Sequence, residues 1–217
     1  SRSRRTVRRR LTRKTRKFRA GFKKIAVLMG GVSRERSVSI KSGKAVVKAL
    51  QEVGRSAVPV IVNDDDERAL ESIPKDCDVV FIALHGRFGE DGVIQRLLAA
   101  KNIPFTGAGP SASSLAYDKI KAKERMVAAG IPTPDSVVLF FPWTPAQARN
   151  ALGKVEQYPV VVKPSCEGSS IGVFVAANES EAWEAIAKCR KYSDNLLIEK
   201  FIPGRELTVP VFRGLHL

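Results

Sequence analysis

Histidine and cysteine are scarce: only His85, His216, Cys77, Cys166 and Cys189 occur among 217 residues. No CxxC pair or Cys/His cluster exists to hold zinc, and two histidines leave little room for a Ser-His-Asp triad. Three widely spaced cysteines argue against a disulfide framework and point to a reducing compartment, so a cytoplasmic protein is expected. No apolar run approaches the roughly 20 residues of a membrane-spanning helix. Acids are missing altogether from residues 1–24, which hold nine arginines and four lysines and so account for 13 of the net charge of +15. The remainder is nearly neutral. The 44% hydrophobic content and the length of the whole chain suit one large or two small globular domains.

The basic segment, residues 1–23, has no periodic apolar face and repels itself, so it is expected to be disordered. It reads as a leader or an unstructured extension. The competing reading is a nucleic-acid or anionic-membrane arm, but only Phe18 and Phe22 interleave the cations, so nucleic-acid binding by the tail is not expected. It has no apolar h-region, which excludes a secretory signal, although an Arg-rich, acid-poor leader resembles organelle transit peptides.

From Lys24 short apolar runs alternate with amphipathic stretches, the pattern of an α/β sheet with parallel strands. Strands are expected at 25–29, 57–62 and 79–84, helices at 38–53 and 93–100, and a short strand at Pro104-Phe105. A helix over 118–129 stops at Gly130-Ile-Pro-Thr-Pro134, a domain boundary signal. In the second unit Thr144-Pro-Ala-Gln147 reads as a cap, a first-turn proline and a capping-box glutamine, starting a helix to Leu152. Strands at 160–163 and 172–175, a helix from Asn178-Glu-Ser-Glu181 to Lys191, and strands at 196–200 and 207–212 complete the reading.

Five segments carry chemistry. Gly30-Gly31 lacks GxGxxG spacing, and alone Glu35, between Arg34 and Arg36, reads as a solvated turn acid, although a helix N-terminus and two arginines would keep it ionised. His85-Gly-Arg-Phe-Gly-Glu-Asp-Gly92 is richer in glycine and ionisable groups than a structural turn needs, and it follows an apolar strand where ligands of open α/β sheets bind. Lys119 after Asp118 could reach a phosphate, yet by itself it reads as a surface lysine, with Lys121 and Lys123 on a solvated helix face. Lys163 is different. It ends an apolar strand, where burial is costly unless an anion is supplied. The glycine-serine loop that follows, Glu167-Gly-Ser-Ser-Ile-Gly172, can bring N–H groups and hydroxyls to a phosphate. Ile198-Glu-Lys-Phe-Ile-Pro-Gly-Arg-Glu206 adds acids and an aromatic at a strand end. Together these supply what gripping ATP requires: a cation, a lid, an apolar plate and carboxylates.

The motifs GGxSxERxVS at 30–39, HGxxGEDG at 85–92, FTG at 105–107, DK at 118–119, VKPxxEGSSxG at 162–172 and IEKFIxGxE at 198–206 occur in one order over nearly all of residues 24–212. In this the chain resembles the D-alanine:D-alanine ligase family of the ATP-grasp superfamily. The resemblance implies an α/β protein: a Rossmann-like open parallel sheet that binds D-alanine over 24–117, the central α+β ATP-grasp subdomain over 118–206, and the start of a C-terminal subdomain over 207–217. It implies phosphorylation of one D-alanine by ATP and attack of a second on the acyl phosphate, for peptidoglycan synthesis.

By the same resemblance Glu35 binds the first D-alanine's ammonium with help from Ser169, and His85 lines the amino-acid pocket. Lys119 and Lys163 hold phosphates, the loop Glu167, Gly168, Ser169, Ser170 to Gly172 closes over them, and Glu199, Glu206 and the Lys200-Phe201-Ile202 backbone take the nucleoside. Phe201 stands where the family often has tryptophan. Family members continue for roughly another hundred residues, an ordinary domain length. That part carries the ligands of two Mg2+ or Mn2+ ions, so residues 1–217 alone are expected to be inactive. A homodimer through the first domain is also implied. The alternatives are a D-alanine:D-lactate ligase, or a non-catalytic module that binds nucleotide or nucleic acid.

Overall fold

A computed structural model describes residues 24–209, 211–212 and 215–216; the basic segment 1–23 lies outside them. Two compact units result. One comprises the described residues up to Ala122 together with Glu167–Ser169, and the other Lys123–Cys166 and the described residues from Ser170 onward.

The first unit is built on β1 (Lys24–Gly30), β2 (Ser56–Val62) and β3 (Val79–Ile82), a parallel sheet in the order β2-β1-β3. Phe105 extends it by a single parallel bridge to Val80, where a short strand was expected. Central β1 is apolar from Ile25 onward and buried on both faces, as a middle parallel strand must be. On one side Ala26, Leu28, Val60, Val62 and Val80 pack with Ile94 and Leu98 of α2 (Val93–Ala100). On the other, Val27 and Met29 meet Val46, Val47 and Leu50 of α1 (Arg36–Glu52). Gly43 allows that approach, because a Cβ there would lie 2.5 Å from the Met29 Cβ. Helix α3 (Pro110–Tyr117), absent from the expected elements, opens on a first-turn proline. Helix α4 (Lys119–Ala128) starts as expected, with Asp118 Oδ1 accepting from the Ile120 N–H at 3.1 Å.

In the second unit β4 (Ser136–Leu139), β5 (Val160–Pro164), β6 (Phe174–Ala176) and β7 (Leu196–Lys200) form an antiparallel sheet in the order β4-β7-β5-β6. The parallel expectation thus holds only for the first unit. The α+β expectation describes the second. Helices α5 (Pro145–Leu152) and α6 (Glu179–Cys189) bury Ala148, Leu152, Ala185 and Ile186 against Val160, Val162 and Ile198. Both start at the expected signals. Thr144 Oγ1 accepts from the Gln147 N–H at 3.2 Å while Gln147 Oε1 accepts from the Thr144 N–H at 2.7 Å, and Asn178 Oδ1 accepts from the Glu181 N–H at 3.0 Å.

The strand expected over 207–212 is a correction. Among the described residues of that stretch, the strand is Val211–Phe212, β8, which pairs antiparallel with β9 (Leu215–His216). Leu207 and Val209 are exposed, so no buried face holds them in a sheet.

Ser39 joins α1 to the sheet. Its buried Oγ donates to the Ala83 carbonyl at 2.7 Å and accepts from the Gly30 N–H at 2.9 Å, tying together the ends of β1 and β3. Replacing Ser39 with alanine strands both backbone groups, and a loss of about 1–3 kcal/mol is expected. Chemical denaturation of the two forms measures it.

Candidate functional site

In the first unit the two loops singled out from the sequence meet. Glu35 is the N-cap residue of α1, and its N–H donates to Ser33 Oγ at 3.2 Å. The Ser33 hydroxyl in turn donates to the His85 carbonyl at 2.7 Å, so one unforeseen serine couples the segments carrying Glu35 and His85. Glycine suits the place where they touch: Gly86 has φ +68°, and a Cβ there would come within 2.7 Å of Glu35 Oε2 and 3.2 Å of the Ser33 Cβ. Arg36, expected beside the Glu35 carboxylate, is used elsewhere. Its Nη1 donates to the carbonyls of Gly31 and Val62, each at 2.8 Å, and its Nη2 to Asn63 Oδ1 at 2.7 Å.

The His85 ring lies 3.2 Å from Ser42 Oγ through Nε2 and 3.4 Å from Glu90 Oε1 through Nδ1. With Ser42, Phe81, Thr106 and Tyr117 it lines a cavity of about 540 Å3. The histidine is thus at a cavity, as its place after β3 suggested. The same glycine loop holds Phe88 buried with φ +72°, its N–H capped by Asp91 Oδ2 at 2.8 Å. That backbone is uncommon for a bulky residue, and the acid of the GEDG segment secures it.

The loop after β5 carries two consecutive left-handed serines, Ser169 at φ +54° and Ser170 at φ +59°, both exposed. Within the first unit, Lys119 Nζ donates to the Glu167 carbonyl, and a Cβ on Gly168 would lie 3.3 Å from Glu35 Oε2. Lys119 therefore reaches the glycine loop's backbone.

The second unit has a charge cluster that the sequence reading only partly anticipated. Glu199 on β7 is buried, and its two oxygens take two lysines: Oε2 pairs with Lys163 of β5 and Oε1 with Lys123 of α4 at 3.0 Å. Lys123 also donates to Thr133 Oγ1 at 2.7 Å and to the Pro134 carbonyl. Assigning Lys123 to a solvated face is therefore corrected: its side chain is only 12% exposed. The anion demanded by a lysine at the end of an apolar strand is supplied here by Glu199. Strand pairing explains the meeting. Val161 lies opposite Glu199, so Val161, Lys163 and Glu199 share one sheet face while Val162 and Ile198 turn into the core.

The rest of the IEKFIPGRE segment is less engaged. The N–H groups of Lys200 and Phe201 are donated to the carbonyls of Asp135 at 3.0 Å and Pro159 at 3.2 Å, so an adenine edge would meet this segment at other backbone groups. Ile202 and Glu206 are exposed. The structure thus brings Lys163 and Glu199 together and joins Lys123 to them, and it leaves Glu206 at the surface.

Comparison with known proteins places these features in a family. A family model described as "D-ala D-ala ligase N-terminus" matches residues 62–108, and one described as "D-ala D-ala ligase C-terminus" matches residues 126–215, together more than half of the chain. The chain belongs to the D-alanine–D-alanine ligase family. A family relative from Syntrophotalea carbinolica, named D-alanine--D-alanine ligase, is 43% identical over 90% of this chain and 61% of its own length. One of the same name from Halalkalibacterium halodurans is 47% identical over 87% of this chain and 60% of its own. Among solved structures, that of D-alanine--D-alanine ligase from Bacillus anthracis complexed with ATP is similar with a TM-score of 0.79 at 32% identity, covering 90% of this chain and 64% of that one. The chain thus spans about three fifths of the length of the curated relatives it matches. No helix among the described residues is long and apolar enough to cross a membrane.

Removing the shared acid should show its weight. Glu199→Ala leaves two largely buried ammonium groups without their common counter-ion, and a loss of about 3 kcal/mol is expected. Glu199→Gln, which keeps volume and an acceptor, should lose less. Urea denaturation of the three forms makes the comparison.

Proposed function

We propose that this chain takes part in ATP-dependent ligation of two D-alanines to D-alanyl-D-alanine, through an acyl phosphate, for peptidoglycan precursor synthesis. The observation that carries the reading is its 43–47% identity, over nine tenths of its residues, to relatives named for that reaction. The charge cluster supports it, because it holds two cations for one acid. A largely buried excess of positive charge is what a polyphosphate compensates.

In this reading a carboxylate oxygen of the first D-alanine attacks the γ-phosphorus of ATP and ADP leaves. The amine of the second D-alanine then attacks the acyl carbon and expels phosphate. Lys163 and Lys119 are cations for phosphate oxygens, where charge grows as the bond to ADP breaks. Glu35 and Ser169 hold the first substrate's ammonium, and His85 lines its pocket in a D-alanine-binding domain over 24–117. Glu167, Gly168, Ser169 and Ser170 form the lid that keeps water from the acyl phosphate. Glu199, Glu206 and Lys200 to Ile202 serve the nucleoside, in a central subdomain over 118–206. Magnesium or manganese neutralises charge between ATP oxygens in such transfers. Among the described residues no three His, Cys, Asp or Glu side chains come together to hold one. With D-lactate as second substrate, a hydroxyl would replace the second amine and the first step would be unchanged. We place the reaction in the cytoplasm, with a homodimer formed through the first domain.

Titration of ATP into the purified chain should give saturable binding, and Lys163→Met should weaken it at least roughly tenfold, the worth of one charged hydrogen bond. Equal affinity of the two forms would remove Lys163 from the site. In a coupled assay, residues 1–217 alone are expected to release no ADP in response to D-alanine; turnover would show that they suffice.

A further inference from the structure

We infer that Lys123 is a positioning residue for the nucleotide site: it retains Glu199 so that Lys163 is free to leave that carboxylate for an incoming polyphosphate. The inference rests on the reading of Lys163 as a phosphate-binding lysine.

The cluster is asymmetric. Lys123 has three partners, namely Glu199 Oε1, Thr133 Oγ1 and the Pro134 carbonyl, and is the more buried of the two lysines. Lys163 is bound by Glu199 and its side chain is 22% exposed. One cation is therefore anchored on several sides and the other is held by a single acid. With one carboxylate against two ammonium groups, the cluster carries a net charge of +1, and the more exposed lysine is the one able to take a further anion.

Consider Lys163 turning from Glu199 to a phosphate. With Lys123 in place, Glu199 remains paired and hydrogen-bonded. Without it, the same movement strands a buried carboxylate, which is strongly unfavourable. Glu199 would then compete with the nucleotide for Lys163. Lys123 thus acts through Glu199, on the ease with which Lys163 is released, and need not touch the nucleotide. The register that puts Lys163 and Glu199 on one face supplies one half of this device, and α4 supplies the other.

The test compares the parent chain with Lys123→Met, Lys123→Arg and Thr133→Val, the last removing one anchor of Lys123. Three quantities are read: ATP affinity by titration, the rate at which Lys163 is acetylated by an amine-reactive ester without nucleotide, followed by mass spectrometry, and the thermal midpoint. Lys123→Met should lose about tenfold in ATP affinity and acetylate Lys163 several-fold more slowly, because Glu199 now holds Lys163 undivided. Lys123→Arg should restore both, and Thr133→Val should fall between. If Lys123→Met does not fold, Thr133→Val decides: a partial loss of affinity and a slower acetylation support the hand-off, and parental values overturn it. A lowered midpoint with parental affinity and acetylation would mean a merely structural lysine and overturns it as well. Should the parent chain bind no ATP, the functional reading fails by itself. The acetylation rates then still judge the release of Lys163, slower in Lys123→Met supporting it and unchanged refuting it.

Discussion

A single buried carboxylate governs the second unit. Glu199 is buried on β7 directly after the core residue Ile198, and an unpaired acid there would be very costly. The fold meets that constraint by bringing a lysine from the adjacent strand and another from a helix far earlier in the chain. Much else follows. β5 must carry a lysine at position 163, α4 must present Lys123 beside Thr133 and Pro134, and the chain after Gly130 must return through β4 to lie alongside β7.

The first unit solves a different problem, that of holding two polar loops at the ends of parallel strands. Serines do most of it. Ser39 ties the ends of β1 and β3 to α1, and Ser33 ties the loop of Glu35 to that of His85. Arg36 closes the other side by reaching the carbonyls that end β1 and β2. The residues with chemical promise are thus held by neighbours of little chemical interest, as precise sites require.

Much of this was legible in the sequence. β1, β2 and β7 announced themselves as apolar runs, and α5 and α6 by caps whose hydrogen bonds the structure contains. The glycine-rich segment at 85–92 and the lysine before Pro164 stood out because each was expensive without a partner. What escaped were the partners themselves. Ser33, Ser42 and Lys123 are ordinary in composition, and their roles come from contacts as distant as 52, 43 and 76 positions in the chain. Helical periodicity assigned Lys123 to solvent because it sees only one helix. β4 was hidden for a similar reason: it follows a proline-rich stop, and its pairing with β7 is decided 60 residues later.

The pairing of β5 with β7 has a consequence for how the sheet assembles. If β7 moved along β5 by one position, Glu199 would turn inward among Leu152, Val162 and Ile186, and Ile198 would face the lysines. That one-position slip thus buries an ion against hydrocarbon, whereas the native register leaves the acid beside its lysines. The acid and its two lysines therefore penalise a slip that greasy side chains alone would tolerate.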